Sequence, residues 1–120
     1  MDKQTGRYAA LTKRLVDSVL ATPGHAASEL RRAVLERAAR LGGRHGSGGS
    51  EARDGVPAPL ASYVDKVALH AHRITDEDLT ALQQAGNSDD VLFEVTVAAA
   101  LGAALGRLER GLSALRGEGR

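Results

Sequence analysis

The 120-residue chain has no cysteine and no tryptophan, and only one phenylalanine, two tyrosines and three prolines. The missing thiols exclude disulfides, thiolate nucleophiles, Cys-ligated zinc and iron–sulfur clusters. They leave the redox compartment open. The scarcity of rings, together with a single isoleucine, argues against an all-β sandwich. Neither sign of charge is in excess: 16 basic residues face 15 acidic ones, a formal net charge of +1. Non-specific nucleic-acid binders carry a basic excess or patch, so no nucleic-acid partner is expected. The longest uncharged stretch with helical character, Val95 to Gly106, has 12 residues, whereas a bilayer needs roughly 20. Charges at Asp2, Lys3, Arg7, Lys13 and Arg14 leave no apolar leader in the N-terminal segment. These lacks predict a soluble, cytoplasmic protein with no membrane partner.

What is abundant is alanine, 21 residues, beside 26 of leucine, valine and isoleucine together. Small apolar side chains favour helices that approach closely. The length suits one domain, with a core modest enough for partner subunits to complete. Five helices are predicted. The first spans about Thr5 to Leu20, with Tyr8, Leu11, Leu15 and Val19 on one stripe, and Pro23-Gly24 ends it. The second spans Ser28 to Leu41, with Ser28 as N-cap and Gly42-Gly43 as stop. Residues 42 to 59 hold six glycines, two prolines and almost nothing to bury, which predicts a flexible linker. That linker separates an N-terminal helical pair, 1–41, from a C-terminal helical unit, 60–120. The third helix runs from about Pro59 to Arg73. Thr75 to Asp78 reads as a capping box opening a short fourth helix, Asp76 to Ala85, with Gly86 after its end.

The fifth helix, Asp89 to Leu115 with Ser88 as cap, is apolar almost all round from Val91 to Gly106. A soluble helix of that kind is buried on several sides. Ala98, Gly102 and Gly106 repeat at spacing four and predict a strip where another backbone comes close, either within the subunit or across a subunit interface. The same reasoning leaves open whether residues 1–41 pack on their own subunit or on a neighbour.

Three passages carry a family resemblance: Thr-Asp-Glu-Asp-Leu-x-Ala-Leu-x-x-Ala-Gly at 75–86, Ser-Asp-Asp-x-Leu-Phe-Glu at 88–94, and the small-residue helix ending in Arg107-Leu108. Over about residues 60–115 the chain resembles the AhpD-like alkylhydroperoxidase and carboxymuconolactone decarboxylase superfamily. The resemblance implies an all-α, AhpD-like helical bundle and a homo-oligomer, a trimer or hexamer. Peroxidase members use a Cys-x-x-Cys pair with a His and a Glu as proton relay. This chain lacks both thiols, so none of those roles transfers and thiol peroxidase activity is excluded.

Candidate chemistry rests on few residues. Glu94 shares a strip with Ala98, Leu101, Leu105 and Leu112, and a carboxyl drawn among apolar neighbours is expected to have a raised pKa. The competing expectation is a structural carboxylate paired with an arginine of a neighbouring helix. His70 borders the apolar face of the third helix 20° from Tyr63, which predicts a half-buried polar pair. His72 faces away, within reach of Asp65. No two histidines share a face, so no metal site is expected, and no cofactor. The Gly-rich 42–49 segment lacks the lysine and the preceding strand of a phosphate loop. Arg31, Arg32, Arg37, Arg40 and Arg44 read as a solvated face of the second helix. Two functions follow. The first is a Cys-less oligomeric interaction or small-ligand-binding protein. The alternative is a cofactor-free proton-transfer enzyme, a lyase or isomerase on a small carbonyl or lactone, with Glu94 as acid or base and His70 and Tyr63 orienting the substrate.

Overall fold

A computed structural model describes residues 3–44 and 54–117. The chain is all-helical there: α1 (Lys3–Ala21), α2 (Ser28–Gly42), α3 (Ala58–His70), a 3₁₀ turn (Ala71–Arg73), α4 (Asp76–Gln84) and α5 (Asp89–Leu115). The helix ends follow local chemistry. Thr75 Oγ1 accepts from the Asp78 N–H while the Asp78 carboxylate accepts from the Thr75 N–H, so the predicted capping box is present. Ser88 accepts from the Val91 N–H and opens α5. Gly43 and Gly86 adopt φ of 124° and 103° after α2 and α4, a conformation that side chains disfavour.

Two ends differ from expectation. The N-cap of α2 is Ala27, not Ser28. The Ser28 hydroxyl instead turns back and donates to the Leu20 carbonyl, 2.7 Å away, satisfying a C-terminal acceptor of α1. Helix α3 stops at His70 rather than Arg73, because His70 takes φ −144° and ψ 50° and the chain tightens into the 3₁₀ turn. The predicted linker also changes character at its edges. Residues 45–53 lie outside the described part, but Asp54 is tied to α2 and Val56 packs against the core.

The core forms where α2 crosses α5, and α3 covers a second side. Val34, Val64 and Val95, one from each of these helices, are fully buried at its centre. The crossing is close because the contact residues are glycines. A Cβ on Gly102 would collide with the Leu35 carbonyl oxygen, one on Gly106 with that of Ala39, and one on Gly42 with that of Ala103. The small-residue strip of α5 thus packs inside the subunit, and α2 meets α5 of its own chain. Of the described side chains of α1, only Val16, Val19 and Leu20 join the core.

The rest of the apolar surface is uncovered in one chain. Tyr8, Leu11 and Leu15, the predicted stripe of α1, are 60%, 50% and 52% exposed. The expectation that α5 is buried on several sides holds for its inner faces alone; on its outer flank Phe93 is 69% exposed and Ala100, Ala104 and Leu108 also face solvent. The molecule is correspondingly elongated, 49 × 31 × 26 Å. Among the described residues, α5 is also the one helix long and apolar enough to cross a membrane, a property that core helices share.

Candidate functional site

The α1–α2 turn is built onto α5 through Glu94. The Glu94 carboxylate accepts two backbone hydrogen bonds, from the His25 N–H and the Ala26 N–H, each 2.8 Å. Gly24 lies directly against it: a Cβ there would fall 2.7 Å from Oε1. A side chain at residue 24 would therefore push the carboxylate away from this position. His25 Nε2 lies 3.7 Å from Asp90 on the same end of α5. These contacts reverse the expected shift. The His25 and Ala26 N–H groups hold the Glu94 carboxyl below its ordinary range, outweighing the partial burial that pushes it up. A carboxylate held ionised by two donors is a structural anion. Its arginine neighbour, Arg31, adds a favourable field from α2.

Arg31 completes this latch. It is 6% exposed, yet its Nε donates to the Ala26 carbonyl at 3.1 Å and its Nη1 to the Val19 carbonyl at 2.6 Å. A cation at the C-terminal end of α1 also complements the helix dipole. Arg31 and Ser28 together satisfy the last carbonyls of α1, and Glu94 satisfies the first turn-forming N–H groups after it.

The two other candidate residues lie elsewhere. Tyr63 is buried on α3, and its hydroxyl is 2.6 Å from Thr96 Oγ1. The Thr96 hydroxyl donates onward to the Leu92 carbonyl at 2.7 Å, so the Tyr63 proton is committed to Thr96. The expected Tyr63–His70 pair is absent: His70 is exposed at the end of α3, with its ring against that of His72 at 6.2 Å. His72 does not reach Asp65 as an ion pair, because Asp65 receives a two-pronged contact from Arg37 at 2.6 and 2.9 Å. Glu94 lines a small hollow of about 150 Å³ with Val19, Arg31, Phe93 and Val97. Tyr63 lines a separate open groove of about 420 Å³ between α3 and α4, with Lys66, Asp78 and Leu82 among its walls. Lys66 and Asp78 bind each other there at 2.9 Å. The Lys66 ammonium and the Thr75 N–H hold the Asp78 carboxyl below its usual range.

The arginines of α2 are the residues that sequence reasoning misjudged. Arg37 bridges Asp54 and Asp65, Arg40 reaches Asp54, and Arg44 grips Glu109 of α5 in a two-pronged contact. Burial pushes the Asp54 carboxyl up, but the Val56 N–H and the Arg37 guanidinium outweigh it and leave the group below its ordinary value. The predicted solvated face is thus a set of clamps, with Arg32 the member left exposed. A signal was available: Asp54, Asp65 and Glu109 lie on three different segments, each able to neutralise one arginine.

No family model, curated protein or solved structure matches the chain. The passages that carry the resemblance are in the structure a capping box, a Gly C-terminal stop and a Ser cap. These devices fix helix ends in many folds.

Proposed function

We propose that the chain acts by association: it is an oligomeric, non-catalytic helical interaction protein whose working surface is the uncovered flank of α1 and α5. The supporting observation is where the exposed apolar side chains lie. Every exposed large hydrophobic residue among those described, Leu69 excepted, is on one of these two helices. Apolar surface gathered in this way marks association sites in soluble proteins. The likeness to AhpD-like proteins over residues 60–115 points the same way, since it implies a homo-oligomer, and a Cys-less chain brings no thiol peroxidase activity to such an assembly.

The proton-transfer reading draws no support from the geometry. Glu94 is held as an anion, the Tyr63 hydroxyl is engaged in donating its hydrogen bond to Thr96, and His70 stands in solvent. Size-exclusion chromatography with light scattering tests the proposal. An assembly larger than one chain is expected at tens of micromolar. A particle of 12.5 kDa throughout the micromolar range would overturn it.

A further inference from the structure

We infer that the partner on this flank is a second copy of the chain, with the two α5 helices packed antiparallel across a two-fold axis that passes between Val97 and Ala100. The inference rests on the association proposed above and adds the occupant and its register.

The first argument is self-complementarity. A two-fold interface uses one patch twice, so the patch must fit itself when reversed. The outer strip of α5 does. Phe93, Val97, Ala100, Ala104 and Leu108 share one side of the helix at spacings of three and four. All five are exposed. The bulky end is N-terminal and the small residues follow. With the axis between Val97 and Ala100, Phe93 of one copy faces Ala104 of the other, and Val97 faces Ala100. Large meets small at these two pairs, and Leu108 of each copy falls level with Asp89 of the other. Two alanines at the centre let the backbones approach, as the glycines do on the opposite face against α2.

Charge gives the same answer. The strip is acidic at its start, Asp89 and Asp90, and no charge other than the latched Glu94 follows until Arg107. Antiparallel pairing about this axis sets Arg107 of each copy level with Asp90 of the other; Arg107 also donates to the Ala68 carbonyl and Asp89 accepts from Gln83 within their own chain, so the cross-pair adds to contacts already made. Parallel pairing would set acid against acid and base against base. Like charges facing one another across a desolvated contact are unfavourable.

Area gives the third argument. The stripe of α1 continues the strip, because Val19 shares a hollow with Phe93 and Val97. Tyr8, Leu11, Leu15, Phe93, Val97 and Leu108 are all exposed and extend the contact toward the roughly 800 Å² per partner of a stable interface. The net charge of +1 opposes self-association weakly.

The native chain has no thiol, so single cysteines report unambiguously. Under mild oxidation Ala100→Cys, beside the axis, is expected to form a covalent dimer in high yield. Leu115→Cys, equally free at 85% exposed but far from the axis, is expected to form little. Equal cross-linking of the two, or more at Leu115, overturns the antiparallel register while leaving association itself intact. Ala104→Glu places a charge in the middle of an exposed strip and should leave helicity by circular dichroism unchanged. It is expected to weaken dimerisation at least tenfold by sedimentation. An unchanged dimer constant with native helicity overturns the inference, as does a purely monomeric chain whose flank binds anionic lipid vesicles instead.

Discussion

Helix α5 presents two apolar faces of similar composition and opposite fate. The inner one, Ala98, Gly102 and Gly106, lies under α2 at backbone contact. The outer one, Ala100, Ala104 and their larger neighbours, faces solvent. The difference is made by what each face meets. Inside, Gly42 and the carbonyls of Leu35 and Ala39 leave no room for a single methyl group. Outside, the alanines bound nothing in the same chain. The seam carries the fold and the outer flank carries little of it. The turn from α1 to α2, latched by Glu94 and Arg31, lies on the border between them.

The sharpest way to break this contrast is a methyl group at the seam. Gly102→Ala drives a Cβ into the backbone of Leu35, which cannot swing aside as a side chain would. Over-packing of this kind costs about 3 kcal/mol or more. That is a large part of the total stability of a small domain, and thermal melting should fall by about 10 °C or more. Ala104→Leu, a larger change two residues on, should alter the stability of dilute, unassociated chain by less than about 0.5 kcal/mol, because its face is open in the single chain. Equal effects at the two positions would mean that the seam is not the core of the fold.

The next effect belongs to the border. Arg31→Met keeps the aliphatic stem but removes both donors, leaving the Val19 and Ala26 carbonyls without their partner in a buried setting. A loss of about 2–3 kcal/mol is expected in denaturant unfolding. A neutral outcome would show that α1 is held by its few core side chains alone.

These cases also mark what sequence reading reached. Helix ends were legible because caps are local: Thr75, Asp78, Gly86 and Ser88 act within four residues of themselves. The all-helical class followed from alanine and from the period of the apolar residues. The destination of the faces was not legible. A glycine strip announces a close approach, but which helix approaches is decided by α2, some sixty residues earlier in the chain. Glu94 illustrates the same limit. Its apolar neighbours on α5 suggested a raised pKa, while the two N–H groups that lower it come from a turn 68 and 69 residues away. The arginines of α2 looked solvated for the same reason, since Asp54, Asp65 and Glu109 reach them through the fold. The pairing of Tyr63 with Thr96 rather than His70 is again a contact between helices, hidden from a wheel drawn on α3 alone.

Glu94→Gln refines the border. The amide keeps one acceptor of the same shape but loses the charge, and its NH₂ group faces one of the two donors, the His25 or the Ala26 N–H. The expected cost is about 1–2 kcal/mol at neutral pH. The pH dependence has a definite sign. The folded-state pKa of Glu94 lies below its ordinary value of 4.5. The latch therefore contributes fully above that pH and weakens as pH falls through the folded value. Asp54 and Asp78, also held below their ordinary values, act in the same direction. Acid should thus destabilise the chain below about pH 4.5, and Glu94→Gln should flatten part of that fall while leaving the remainder to the two aspartates. A variant as acid-sensitive as the native chain would show that the carboxylate does not secure the turn.

The smallest effect is expected on the flank, and its smallness carries the information. Leu11 is half exposed on α1 and is not among the residues packed on the core. Leu11→Ser should therefore change the unfolding midpoint of dilute, unassociated chain by less than about 0.5 kcal/mol. Concentration separates the two roles of the surface. Association stabilises the folded state by mass action, so the native midpoint should climb as chain concentration rises. With Leu11 replaced, the contact loses apolar area and that climb should be shallower, while the dilute midpoint stays where it was. A midpoint lowered equally at all concentrations would place Leu11 in the fold rather than in the interface. The outer flank would then belong with the seam, and the two faces of α5 would no longer divide stability from association.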